Sequence, residues 1–481
     1  MQTLLTIFAI FFLQFADKAS SESVCLSPLA QQMRQERNIE IDSLDYAVSP
    51  IYLDSIKTFG AKVLHTSRWL NGATIEASEQ MIQAIQACHF VQTVYLTKTD
   101  IEVPSDMSLS LQKRLVATTE DNPTGKDQTT TSNQLNMLHL TELHQNGYRG
   151  KGIRIGVADG GFYNANNLAY LPHEQWIGWA DFTGEADDFF GPSGNHGALC
   201  LSAIVAKQTT YDGTADTINR YEGAAVEAEY FLLRTEEHAS ESPKEIDNWV
   251  AALEMADSLG LHIVSTSLGY TTFDYEPFNF SYSDMNGRTS RGARAARIAA
   301  RKGMLLVVAV GNDGNKAWKY LSTPADADSI LTIGAVDTAG IIADFSSYGP
   351  GADGRVKPEV CAVGKATALI DPATNAVISG NGTSFACPLI AGMAACLWSA
   401  LPEASNMEIR ERIIRSADRY DEPHEQYGYG IPNAWLAYTG DATSFTHTPL
   451  PPAPYTKIIQ NGQLYIRHQG VLYNLLGNKI E

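Results

Sequence analysis

The sequence predicts an α/β fold, with a central, mostly parallel sheet flanked by helices, a small α+β domain before it and a short β-rich segment after it. Three observations predict the central part. Lys151-Gly-Ile-Arg-Ile-Gly-Val-Ala-Asp159-Gly-Gly161 is a short apolar strand ending in an acid and two glycines, at the strand end where parallel sheets hold ligands. Ser193-Gly-Asn-His196-Gly runs into Cys200–Ala206, an apolar segment of helical length, which puts His196 at a helix N-terminus. Gly380-Asn-Gly-Thr-Ser384-Phe-Ala-Cys-Pro388 opens onto Leu389–Leu397, a run of small and apolar residues that reads as a buried helix. Pro388 falls in its first turn, where a missing N–H costs little.

Along the chain, Met1–Leu13 is apolar but too short for a convincing membrane span, and residues 1–20 read as a signal peptide with Ala16, Ala19 and Ser20 near the cleavage point. Lys and Arg are missing ahead of the run, so an uncleaved anchor is the lesser alternative. Residues 21–116 form the small domain, with its core at 46–98. Ser49-Pro50 starts a helix that Gly60 stops, strands follow at 61–65 and 73–76, Ser78 caps a second helix bearing Met81, Ile82 and Ile85, and Phe90–Leu96 closes as a strand. Residues 117–133 are polar and read as an exposed linker. The main domain spans 134–438, a proline-rich linker 439–456, and a three-strand meander 457–481, with turns at Asn461-Gly462 and His468-Gln-Gly470.

At 481 residues and 44% hydrophobic content a large core is available. A formal net charge of −19 argues against nucleic acid as a partner, because binding a polyanion needs Lys and Arg to neutralise phosphates. The one basic stretch, Arg288 to Lys302, reads as the solvated face of a helix. Six cysteines define no disulfide framework in a chain this long. Cys387 and Cys396 stand too far apart on one helix to bridge, Cys200 with Cys361 stays open, and no Cys/His spacing matches a zinc site.

A serine hydroxyl is a weak nucleophile and needs a base and an orienting acid. His196 can take the Ser384 proton, and Asp159 can hold the imidazole. The order Asp159, His196, Ser384 separates serine-enzyme classes. An α/β-hydrolase needs Gly-x-Ser-x-Gly with the serine first, whereas Gly382-Thr-Ser384-Phe-Ala386 lacks the final glycine and comes last.

With that order, residues 134–438 resemble the subtilisin-like serine proteases. The resemblance extends to Val264–Gly269, Met304–Asn312, Ala325–Val336, Phe345–Pro350 and Lys357–Ala362. It implies a subtilisin-like three-layer fold and peptide-bond hydrolysis through an acyl-enzyme. It further implies a substrate-binding strand at Ser267, Leu268 and Gly269, and Asn312 as an oxyanion-hole donor beside the Ser384 N–H. The 46–98 module resembles the inhibitory prodomains of that family, so the chain is expected to be a secreted or otherwise extracytoplasmic proprotein that cuts itself within 117–133. Its partners would be protein or peptide substrates and its own prodomain, and it is expected to act as a monomer. No cofactor is needed for the chemistry. Structural calcium is conceivable at the acidic insertion carrying Glu185, Asp187 and Asp188. Three positions depart from the family pattern: Gly160 and Ala198 stand where hydroxyl residues are usual, and Phe385 where methionine is. The competing reading is a peptide-binding protein on a catalytically silent form of the same fold, and only turnover separates the two.

Overall fold

The computed structural model describes residues 8–18, 23–99, 131–211, 217–440, 455–460, 463–468 and 471–473. The first part contains β1 (Phe8–Phe15), α1 (Pro28–Glu36), α2 (Pro50–Thr58), β2 (Lys62–Ser67), β3 (Gly72–Ser78), α3 (Glu79–Gln86) and β4 (Val91–Thr99). The second begins with α4 (Ser132–Met137), α5 (Leu140–Gln145), β5 (Arg154–Asp159), β6 (Trp176–Asp181) and α6 (His196–Val205). It continues through the hairpin β7 (Lys207–Tyr211) and β8 (Thr217–Glu222), β9 (Glu229–Arg234), α7 (Lys244–Leu259), β10 (Ile263–Thr266) and α8 (Arg291–Arg301). Then come β11 (Leu305–Ala309), β12 (Leu331–Val336), β13 (Val360–Val363) and α9 (Thr383–Ala400).

Seven of these strands form one sheet in the order β13-β12-β11-β10-β5-β9-β6, parallel throughout. The inner strands read as unbroken apolar runs because both faces of the sheet are covered. Alternation divides them: Ile155, Val157, Ile263, Leu305 and Val307 face the core containing α6 and α9, while Ala158, Val264, Leu306 and Val308 face the core containing α7 and α8. That is the three-layer arrangement expected from sequence.

The four-stranded antiparallel sheet of the N-terminal module, ordered β2-β3-β1-β4, lies against α7 and α8. Most of its elements match the sequence reading within two or three residues, including the Ser78 cap, whose hydroxyl accepts from Met81 N. The apolar run assigned to a leader pairs as β1 with both β3 and β4. Leu13 and Phe15 enter the module core with Ile56, Ile75 and Ile85, and Phe12 points the other way, into the α7–α8 layer. An uncharged run of eight residues, of which only Gln14 is polar, satisfies a central strand and a leader equally well, so composition alone does not separate them.

The basic helix is corrected. On α8 the Arg291 guanidinium pairs with buried Asp247 at 2.7 Å and lies over the rings of Phe12 and Tyr95, so the module covers that end of the face, while Arg301 at the other end stays exposed. The turn between β2 and β3 is tied to α7 in the same way: Glu254 accepts from Ser67 Oγ (2.6 Å), Arg68 N (2.9 Å) and Trp69 N (3.2 Å).

The linker carrying the expected maturation site falls almost wholly on residues outside those described. Residues 455–460, 463–468 and 471–473 form an antiparallel three-strand meander, as read from the turns.

Candidate active site

Parallel strands deliver side chains to one edge, and this sheet delivers five of the predicted residues to the carboxyl ends of three neighbouring strands. Asp159 ends β5, Ser267–Gly269 follow β10, and Asn312 follows β11. His196 and Ser384 come from the N-terminal ends of α6 and α9. The loops can close in because glycines line their contact. A Cβ on Gly161 would lie 2.7 Å from the Gly194 backbone, and one on Gly197 would lie 2.8 Å from Asp159 Cβ.

Asp159 is fully buried. Its Oδ1 accepts from Gly160 N at 2.7 Å and lies 2.8 Å from His196 Nδ1, geometry that places the ring proton on Nδ1 and leaves Nε2 free to take another. Burial works most strongly against the imidazolium, but the Asp159 charge, the neighbouring Cys200 thiol and the hydrogen bonds to both together outweigh it and hold the His196 pKa well above its ordinary value. Asp159 Oδ2 is buried without a hydrogen-bond partner among the described residues, beside Gly160, which brings no side chain to it.

Ser384 is the second residue of α9, at the positive end of the helix dipole, where backbone N–H groups lack helical partners. Its hydroxyl donates to Ser267 O at 3.4 Å, and Ser267 Oγ donates to Ser384 O at 2.8 Å, so the substrate-strand candidate is fastened to the nucleophile candidate. Asn312 is exposed. Its Oδ1 accepts from Thr383 N (2.9 Å) and Thr383 Oγ1 (3.0 Å), which fixes the side-chain amide and leaves Nδ2 to donate outward. Gly269 faces Ser322, whose Oγ would stand 2.0 Å from a Cβ there. Leu268 packs against the α7–α8 core.

Sequence reasoning missed two neighbours. Thr383 orients Asn312, and the hydroxyl residue just before Ser384 was the available signal. Cys200 Sγ lies 3.9 Å from His196 Nδ1 and donates to Ser384 O at 3.3 Å. The separation of four along α6 puts it on the His196 face. Phe385 packs its ring 5.6 Å from that of His196. All six cysteines are free thiols.

The acidic insertion closes on an internal cation. Asp181, Glu185 and Asp187 surround the fully buried Arg234 guanidinium at 2.8, 3.7 and 2.6 Å, and Asp188 Oδ1 accepts from Phe190 N. Replacing Arg234 by Met leaves three carboxylates facing one another. The expected cost is roughly 3 kcal/mol of stability, less than for a fully enclosed pair because the carboxylates are partly exposed. A fall in thermal unfolding midpoint checks it.

Residues 150–430 match the family model described as the Subtilase family, and residues 10–113 match one described as the Peptidase S8 propeptide domain, Bacteroidota. The thermostable alkaline protease of Halalkalibacterium halodurans is 27% identical over 304 residues, 63% of this chain and 72% of that protein. Serine protease AprX of Bacillus subtilis is 26% identical over 62% of this chain and 69% of its own length, and subtilisin DY of Bacillus licheniformis 26% over 63% and 96%. Among solved structures, MycP1 from Mycobacterium smegmatis superposes with a TM-score of 0.52 at 19% identity, covering 68% of this chain and 89% of that one, a likeness of fold.

Proposed function

The chain belongs to the subtilase family, a serine protease with its own propeptide domain, and from that premise we propose an extracytoplasmic endopeptidase that works through an acyl-enzyme and processes itself from a proprotein. The observation that carries the chemistry is the 2.8 Å Asp159–His196 pair set beside a serine at the N-terminus of α9. A substrate peptide adds as a strand along Ser267, Leu268 and Gly269, which brings its scissile carbonyl to Ser384. The Ser384 hydroxyl turns from the Ser267 carbonyl, gives its proton to His196 Nε2 and attacks the carbonyl carbon. Asp159 stabilises the imidazolium that results. Negative charge on the tetrahedral oxygen is met by Asn312 Nδ2 and the Ser384 N–H. As the C–N bond breaks, His196 returns the proton to the leaving amine, and water then releases the acyl group by the same route in reverse. The chemistry asks for no cofactor. All the groups come from one chain, which supports action as a monomer, and the propeptide supports a proprotein kept silent by its own N-terminal module until the linker is cut.

Labelling tests the assignment directly. An organophosphonate that reacts with activated serines is expected to modify the processed enzyme at one site, Ser384, found by peptide mass mapping. Modification elsewhere, or none, sinks the reading.

The raised His196 pKa fixes the pH dependence. The base is active only when neutral, so kcat/KM is expected to rise with pH through a single ionisation displaced above 6.5, and to fall tenfold per unit below it. The sign for stability is opposite. The His196–Asp159 ion pair contributes fully below the unfolded-state pKa of about 6.5 and is lost as pH rises through the raised folded-state value. Initial rates across pH, with unfolding midpoints on the same buffers, check both slopes.

A further inference from the structure

The sheet of the N-terminal module packs along α7 and α8, and polar contacts tie the module to both ends of α7, only one of which is near the cleft. At the near place Lys98, close to the end of β4, donates to Glu237 Oε2 (2.7 Å) and Ser240 Oγ (2.8 Å), beside the start of α7. The far place is built by an arm outside the module's sheet, residues 23–45, which carries α1. The helix α7 has 16 residues, so its two ends are about 24 Å apart.

The arm lies across the C-terminal ends of α7 and α8. Both helices stop at or just before glycines with positive φ, Gly260 (+73°) and Gly303 (+92°), and the arm seats a side chain against each. A Cβ on Gly260 would be 3.0 Å from Met33 Sδ, and one on Gly303 would be 2.5 Å from Ile39 Cδ1. Backbone groups join as well: Ser27 N donates to Ser258 O (2.9 Å), and Ser258 Oγ to Cys25 O (2.6 Å). Arg37 donates to Gly303 O and lies 4.7 Å from the centre of the Trp398 ring on α9.

Beneath these contacts runs a buried chain of charges, which Asp42 continues toward the surface by meeting Lys302 at 2.9 Å. Arg34 Nη2 meets Asp257 at 2.7 Å and Asp45 at 2.9 Å, and Asp45 meets Lys302 at 2.6 Å. Arg68 from the β2–β3 turn meets Asp257 at 2.7 Å and Glu254 at 3.5 Å. Three cations and three carboxylates thus balance, each residue no more than 6% exposed. Three belong to the module and three to the protease domain, and neither set is neutral alone. A buried network of this kind is costly to break from one side, because the remaining charges lose their partners before water reaches them.

We propose that the far ends of α7 and α8, with Glu254, Asp257, Lys302 and Trp398, are a docking site for a guanidinium-bearing helical segment. Residues 23–45 fill it in the precursor, and this remote site, more than the cleft, sets how long the module stays bound after the linker is cut. The proposal takes from the proprotein reading only that the linker can be severed. The occupant is the chain's own arm, argued from the charge balance and the two glycine caps that receive Met33 and Ile39.

The test is independent of turnover. The full chain bearing Ser384→Ala, with a recognition sequence for an unrelated protease placed in residues 117–130, is cut, and dissociation of the module is followed by size exclusion and by the decay of a fluorescence-transfer pair. With the arm intact the two pieces are expected to co-elute. Arg34→Met is expected to speed dissociation about 100-fold or more, the scale of removing one partner from a buried pair. Arg301→Ala, which breaks an exposed pair with Asp42, is expected to change it less than twofold. Should Arg34→Met fail to fold, Arg37→Ala combined with Ile39→Ala leaves no buried charge unpaired, and an acceleration of tenfold or more is required of it. Dissociation unchanged by the arm variants, or pieces that part at once in the unaltered arm, overturns the proposal. Casein digestion by the wild-type chain, left to process itself, reports separately on the protease reading.

Discussion

Ser384→Ala is expected to reduce digestion of unfolded casein to the level of the buffer and to leave the chain at full length. The hydroxyl is the group of the proposed site that forms the acyl bond, and its methyl replacement leaves His196 and Asp159 paired without the serine proton to take. The expected loss is on the order of 10⁶ in kcat, the scale seen when a subtilisin loses its nucleophile. Because Ser384 is only 8% exposed and begins a helix buried nearly throughout, the change removes one oxygen without opening a cavity, so the unfolding midpoint should stay within a degree or two. Gel electrophoresis of the chain against time, run beside peptide release, reads both effects. Casein digestion by the variant at the wild-type rate would remove Ser384 from the mechanism.

Asn312→Ala is expected to lower kcat by about 10² to 10³ with KM little changed. The magnitude is the one known for removing an oxyanion-hole asparagine from a subtilisin, a relative of this chain. What is particular to this chain is the way the amide is fixed. With Oδ1 held by both the N–H and the hydroxyl of Thr383, Nδ2 has no need to reorganise as charge develops on the substrate oxygen. Thr383→Val keeps the backbone contact and loses the hydroxyl, and about a tenfold loss is expected, again in kcat. Steady-state kinetics on a short chromogenic peptide separates the two constants. An equal rise in KM would mean that Asn312 holds the ground state instead.

The sheet and its edge were legible because burial on both faces leaves a plain mark: strands such as 305–309 and the helix after Ser384 admit almost nothing polar. Asp159, His196, Ser384 and Asn312 could be placed for the same reason, each standing where an apolar run begins or ends, and the structure brings them to one edge. The contacts made between domains were not legible. The helix at 28–36 shows no apolar stripe, since it packs through Ala30 and a salt-bridged Arg34. Arg291 looks like a surface residue until Asp247 and two rings are set around it. The acidic insertion carries no basic residue of its own, because its counter-charge, Arg234, lies 47 residues beyond Asp187.

The place of β1 in the module sheet bears on the order in which the chain can assemble. Its two neighbours, β3 and β4, lie far downstream, so the strand synthesised first among the three waits for the residues through Thr99 before both edges can be closed. Until β3 emerges, Phe8–Phe15 has neither of its partners, and unpaired apolar strands of this kind are what chaperones bind and what aggregates. A module with such long-range closure pairs late, which keeps the chain pliant while it is being made and leaves its sheet to form as a unit once synthesis has passed it.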